Sequence, residues 1–154
     1  MFQLLVSYNG WEDGGDTILT SRIYIKPGVN PDQMVMTDGK LDLSKVSRVP
    51  AVLMAEIEGP GPQIARLAYI NQLALGPRET AIQYSFDTTV PGINNATLQK
   101  HSAALGIKSP LNHTHWEVCS GDLFRVLLMV QQQNASSKFR ATVFSTLGID
   151  DQID

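Results

Sequence analysis

The chain has 154 residues, of which 43% are hydrophobic and 18% charged, a composition typical of a folded globular protein rather than a disordered one. A net charge of −3 with scattered Lys and Arg residues excludes a broad basic face, so we expect no strong nucleic-acid footprint. No apolar run approaches the ~20 residues that would cross a bilayer, so no membrane segment is expected.

The chain contains one cysteine, Cys119, which cannot form an internal disulfide. A reducing compartment follows most simply, and because the N-terminus lacks a signal-peptide pattern we predict a cytoplasmic protein. The length suits one globular domain, predicted over residues 1–148 and followed by an acidic tail at 149–154.

Strand patterns dominate the first half of the chain. Residues 2–8 alternate in polarity, a glycine-rich loop follows, and residues 17–25 are again extended, so we predict a hairpin between these two segments. Compact apolar or alternating runs predict further strands at 51–57, 63–75 and 80–86.

Helical patterns replace them in the second half. An Asn94-Asn95 pair and Gly106 suit the two ends of a helix at 95–105. A second helix is predicted over 120–132, with Ser120 as its cap and Asp122 in its first turn; residues 138–146 form a final strand or helix. This order indicates an α+β fold: a mostly antiparallel sheet, built mainly from residues 2–86, with two or three helices packed on it.

Residues 112–122 form the most polar candidate site. On a strand His113, His115 and Glu117 share one face, because side chains alternate with period two. The opposite face, with Trp116 as anchor and Thr114 and Val118 beside it, is predicted to pack into the core, which turns the histidine face outward. Near Ser120 and Asp122, at a helix start that attracts anions, this face is the predicted site for a small anionic ligand, with protonated His115 assisting.

A metal-dependent hydrolase or nuclease that uses His113, His115 and a carboxylate is the alternative. His-x-His on a strand can bind Zn²⁺. On a flat strand, however, His113 and Glu117 lie about 13 Å apart and cannot ligate one ion together. A third ligand, such as His101 or Asp122, has to come from elsewhere, so no cofactor is predicted.

Three further groups of residues have both a possible functional role and a simpler structural one. Cys119 precedes a helix start, which would stabilise a thiolate, but cysteine is among the most buried residue types, so a nucleophile is not favoured. The acidic loop at 10–16 lacks calcium-loop spacing, and we predict a solvated loop with Trp11 folded back over it. Four arginines would bind an anion together only if the sheet juxtaposed them: Arg22, Arg48, Arg66 and Arg78.

Residues 114–128, THWEVCSGDLFRVLL, resemble a THW-x-V-x-x-x-DL-x-x-VL signature of N-terminal domains in bacterial abortive-infection and related defence proteins. The Gly10-Trp11 pair, the strand with Arg22 and the Ile82-x-Tyr84 strand occur in a compatible order, although family members tend to carry lysine at the position of Cys119. The resemblance implies a sensor or regulatory module beside an effector.

No catalytic motif is complete in this chain. We therefore expect a non-catalytic binding or regulatory domain, a sensor or adaptor, belonging to a bacterial anti-phage defence system. Its expected partner is another protein or a small anionic ligand. Self-association through exposed sheet edges, giving a homo-oligomer, is a further alternative.

Overall fold

The computed structural model describes residues 1–147, so the expected acidic tail at 149–154 lies outside the described residues. Its contacts divide the chain into two units, the first comprising Met1–Asp122 and the second beginning at Leu123. The single domain expected over 1–148 spans both units and stays a prediction. Within the described part, no helix combines the length and the apolar character needed to cross a membrane.

Residues 1–122 form a seven-stranded sheet, a separate two-stranded ribbon and three short α-helices. The helices are α1 Leu43–Val46, α2 Asn95–Lys100 and α3 Ser102–Leu105. The strands are β1 Phe2–Ser7, β2 Gly15–Leu19, β3 Met36–Thr37, β4 Lys40–Leu41, β5 Ala51–Ala55, β6 Ile64–Leu75, β7 Glu79–Phe86, β8 Ile93–Asn94 and β9 His115–Cys119.

The large sheet has the order β2-β7-β6-β5-β1-β9, with β8 beside β6, while β3 and β4 form the ribbon. Strands β1 and β5 run parallel, and the other strand pairs of residues 1–122 are antiparallel. The expected α+β class with a mostly antiparallel sheet is therefore confirmed. The sheet also takes in β9, which lies well beyond the residues 2–86 expected to build it.

The hairpin expected between residues 2–8 and 17–25 is wrong. Strand β1 pairs with β5 and β9, whereas β2 pairs with β7 at the opposite edge of the sheet. The physical reason lies in β1 itself, because Phe2, Leu4, Leu5 and Val6 are fully buried and so give the strand two apolar faces. A strand that is apolar on both faces suits the interior of a sheet with both faces covered.

The expected helix at 95–105 is present as α2 and α3, which meet at His101. The Asn94 side chain accepts a hydrogen bond from the backbone N–H of Ala96 at 2.8 Å, and so satisfies one of the free donors of the helix start. Gly106 ends the segment with φ of 70°, the left-handed conformation of a helix C-terminus. Both capping predictions are confirmed.

The second predicted helix begins later and is longer than expected. It is α4, Leu123–Leu147, so residues 138–146 are helical and Ser120 and Asp122 precede the helix. The chain instead turns at Gly121, whose backbone N–H donates to the carbonyl oxygen of Leu105 at 3.0 Å. A Cβ atom at Gly121 would lie only 2.4 Å from Leu105 backbone atoms, so this close approach requires glycine.

Gly106→Ala is expected to lower the free energy of unfolding by about 2–3 kcal/mol, because left-handed strain and overpacking add. A Cβ atom at this position would lie 2.7 Å from Oγ of Ser120. Gly14→Ala is the matched control, since Gly14 has φ of 86° but no atom within 4 Å of its built Cβ. Urea unfolding should show the smaller loss for Gly14→Ala, and equal losses would contradict the close contact at Gly106.

Candidate functional site

A buried ion pair between His115 and Glu117 forms the centre of the polar region. His115 is 0% exposed and Glu117 is 3% exposed, and Nε2 of the ring lies 2.6 Å from Oε2 of the carboxylate. The other ring nitrogen, Nδ1, lies 2.7 Å from the carbonyl oxygen of His113. A carbonyl and an ionised carboxylate can only accept, so the ring that satisfies both contacts carries both protons.

Both oxygens of the Glu117 carboxylate accept hydrogen bonds from within the protein. Its Oε1 accepts from the backbone N–H of Lys108 at 2.9 Å and from Sγ of Cys119 at 3.6 Å, and its Oε2 also accepts from the backbone N–H of Ser109 at 3.1 Å. Burial raises the pKa of the Glu117 carboxyl. The hydrogen bonds from His115, Lys108 and Ser109, together with the charge of His115, outweigh burial, and the net shift of the pKa is downward.

These two residues do not form the outward polar face that the sequence predicted. Strand β9 does alternate as expected, with Trp116 0% and Val118 1% exposed on the core face. The opposite face is buried as well, because the segment that follows α3 lies over it and supplies the backbone donors of Lys108 and Ser109. A protonated His115 is consequently committed to Glu117 rather than turned outward toward a ligand.

His113 lies before β9 and contacts residues far away in sequence. Its Nε2 contacts Nη1 of Arg22 and lies 2.9 Å from the hydroxyl of Tyr24. The Tyr24 ring stacks at centroid distances of 6.2 Å from His113 and 5.8 Å from His115. Because a guanidinium can only donate, Nε2 of His113 acts as an acceptor and the ring is the neutral Nδ1–H tautomer.

Tyr24 was not identified as a site residue in the sequence, and Arg22 was considered only as one of four arginines that could bind an anion. They reach β9 because the backbone N–H of Tyr24 donates to the carbonyl oxygen of Trp116 at 2.8 Å, and Ile23 forms a parallel bridge with Trp116. About ninety positions separate these partners along the chain, and no local pattern marks such a pairing.

The remaining predicted site residues lie outside the buried pair. Ser120 and Asp122 follow β9 and are exposed. Thr114, expected beside Trp116, donates from its hydroxyl to Oε2 of Glu56 at 2.6 Å. Of the predicted set, the structure thus brings together His113, His115 and Glu117.

Cys119 is 0% exposed, and burial followed by the nearby Glu117 charge raises the pKa of its thiol. We expect native Cys119 to react with a disulfide reagent at least about 100-fold more slowly than in urea, because the thiolate is the reactive form and the site is closed. Absorbance-monitored labelling, with free glutathione as the control for reagent chemistry, measures both rates. Rapid labelling of the folded protein would contradict this assignment and return Cys119 to the list of candidate nucleophiles.

A cavity of about 350 Å³ opens beside β9. Its polar lining includes Tyr24, Lys26, Asp32, Lys108, Ser109 and Glu117. The carboxylates of Asp32 and Glu117 both have partners within the protein. Asp32 is 4% exposed and accepts a hydrogen bond from the backbone N–H of Lys26 at 2.9 Å, and Glu117 accepts the hydrogen bonds given above. Neither lysine ammonium has a hydrogen-bond partner among residues 1–147.

The described residues contain no group of three or more His, Cys, Asp or Glu side chains placed to hold a metal ion. Two of the four arginines have separate partners: Arg22 contacts His113, whereas Arg66 lies over the ring of Phe86. The acidic loop carries Trp11 folded back against the sheet, where its indole N–H donates to the carbonyl oxygens of Leu5 and Met54.

We found no match between this chain and any protein-family model, any curated protein or any solved structure.

Proposed function

We propose that this chain is a non-catalytic binding or regulatory domain, and that its ligand is a small anion bound in the cavity beside β9. The proposal rests on one observation: the two residues best suited to acid–base catalysis are already bound to partners inside the protein. Both nitrogens of His115 and both oxygens of Glu117 have partners inside the protein. A general base needs a free acceptor within reach of the substrate, which this pair does not offer.

The negative charge of the ligand is inferred from the side chains at the cavity that have no partner within the protein. Lys26 and Lys108 are exposed residues of its lining, and their ammonium groups form no hydrogen bond or ion pair with residues 1–147, while the neighbouring carboxylates are occupied. Lysine binds phosphate as a compact point charge with three donors. A phosphate-bearing small molecule, such as a nucleotide, supplies the complementary charge.

The broader role is also a proposal. The likeness of residues 114–128 to the defence-protein signature supports a sensor or adaptor of a bacterial anti-phage system, in which the domain would act on a protein effector. In such a module, anion binding at the cavity would change the affinity for the effector by the same factor as the effector changes the affinity for the anion.

Calorimetry with inorganic phosphate and a panel of nucleotides tests the ligand. At least one probe should bind saturably, and Lys26→Ala and Lys108→Ala should each weaken it about tenfold, or ~1.4 kcal/mol. Lys100→Ala, which removes an exposed lysine in the last turn of α2, is the matched control and should leave affinity unchanged. No binding of any probe, or equal losses in all three variants, would contradict the anion site and leave a protein as the ligand.

Metal analysis of the purified protein separates this proposal from the hydrolase or nuclease alternative. Stoichiometric Zn²⁺ or Mn²⁺ that is lost in a folded His115→Ala protein would support the alternative and overturn the non-catalytic assignment. Absence of stoichiometric metal after purification in metal-supplemented buffer, with no hydrolysis of nucleotide or nucleic-acid substrates, is the expected result.

A further inference from the structure

A second cavity, of about 120 Å³, lies where the loop that follows β1 returns to the sheet. Its walls include Gly10, Trp11, Leu53, Ala55, Arg66 and Phe86. It shares no lining residue with the cavity beside β9. A cavity of roughly 150 Å³ lined by apolar side chains is known to hold one benzene ring, so this somewhat smaller space limits a guest to a single six-membered ring.

The walls are aromatic on two sides. Trp11 packs edge-on against Tyr84 at a centroid distance of 6.1 Å, and Tyr84 packs against Phe86 at 5.5 Å. The indole of Trp11 is held by its two hydrogen bonds to Leu5 and Met54, so its position is set by backbone groups of the sheet. Trp11 and Phe86, the two aromatic residues of the lining, are thus positioned by their neighbours before a guest binds, which favours a planar aromatic guest.

One charge lies in this aromatic setting. The guanidinium carbon of Arg66 sits 3.8 Å from the centroid of the Phe86 ring, and the residue is half-buried. Among residues 1–147 no carboxylate or carbonyl accepts a hydrogen bond from its guanidinium. Since Arg66 is only partly buried, these donors are open to solvent and are available to an anionic partner at the cavity wall.

We infer that this cavity is a binding site for a small planar carboxylate with one aromatic ring. The ring would occupy the space between Trp11 and Phe86, and the carboxylate would accept two parallel hydrogen bonds from Arg66. Guanidinium and carboxylate match in planarity and spacing, which an ammonium does not reproduce. This site is independent of the anion site proposed beside β9.

Benzoate is the test ligand, with amide NMR spectra and the two indole N–H signals as the readout. Benzoate should shift the Trp11 indole signal saturably, with a dissociation constant at or below about 10 mM for a ligand of this size. The Trp116 indole, which is fully buried and does not line this cavity, should not move. Benzamide keeps the ring without the charge and acetate keeps the charge without the ring, so both should bind at least about tenfold more weakly.

Arg66→Met retains a side chain that packs on Phe86 but removes the charge, and it should weaken benzoate at least tenfold without affecting benzamide. The benzoate affinity of Arg66→Lys should lie between those of the wild type and Arg66→Met. It also provides a second variant if Arg66→Met folds poorly. Arg48→Met, at an exposed arginine outside the cavity, is the matched control and should bind benzoate normally. No saturable shift of Trp11, or equal binding of benzoate and benzamide, would overturn the inference. Lys26→Ala should leave benzoate binding intact, so failure at one site is distinguishable from failure at the other.

Discussion

Trp116→Ala is expected to lower the free energy of unfolding by about 3–5 kcal/mol, a large part of the ~5–15 kcal/mol that a typical domain possesses. Trp116 is 0% exposed and packs in the core cluster that also contains Leu5 and Val118. Its indole N–H donates to Oε1 of Gln3 at 3.2 Å, and Gln3 in turn donates to the carbonyl oxygens of Val46 and Val49. The substitution therefore leaves both a void and a buried unpaired acceptor.

Two further variants separate those effects. Trp116→Phe keeps most of the ring volume but removes the indole donor. Its free energy of unfolding should therefore fall by the ~1–3 kcal/mol of an unsatisfied buried acceptor, plus the cost of a small void. Tyr8→Ala is the control for removing an aromatic side chain, because Tyr8 is 58% exposed, and it should be nearly neutral. Urea midpoints measure all three. A Trp116→Ala protein with the wild-type midpoint would show that this side chain is not a core anchor.

Glu117→Gln is expected to cost about 3–5 kcal/mol, the usual consequence of removing one partner from a buried ion pair. The carboxylate accepts from His115 and from two backbone N–H groups, and an amide of the same shape places a donor where an acceptor is needed. Glu79→Gln changes an exposed carboxylate in the same way and is the matched control. A loss no greater than that of Glu79→Gln would contradict a stabilising role for the pair.

The pH dependence of the same variant gives an independent check. The folded-state pKa of Glu117 lies below its unfolded value, so the stabilisation is complete above the unfolded pKa of about 4.3 and is lost as pH falls through the lower folded value. The stability difference between wild type and Glu117→Gln should stay large at pH 5.5 and shrink progressively below pH ~4.3. A difference that grew as pH fell would show that the folded pKa is raised instead.

Local patterns in the sequence determined several elements correctly. Strands β5, β6 and β7 and the helical segment α2–α3 follow from alternation, capping and glycine position, because these signals act between neighbours in the chain. The same holds for Trp116, since alternation along β9 separates it from His115 and Glu117. Each of these predictions requires only knowledge of which residues share a face.

Only the tertiary structure decided whether a given face is covered. Alternation placed His115 and Glu117 on one side of β9, but the segment after α3 buries that side and supplies the backbone donors of Lys108 and Ser109. The partner of β2 was likewise decided at long range, because the two edges of β1 are taken by β5 and β9.

Contacts between distant segments also explain why the sequence did not predict the two cavities. Lys26 and Lys108 line one cavity, and Arg66 and Trp11 line the other, through packing of segments that are distant in sequence. A side chain's free energy at such a site depends on which partners surround it, and chain-local propensity carries no information about partners tens of residues away. The sequence thus determined several of the elements and the core anchor, whereas tertiary packing turned an expected outward histidine face into a buried ion pair and created both candidate binding sites.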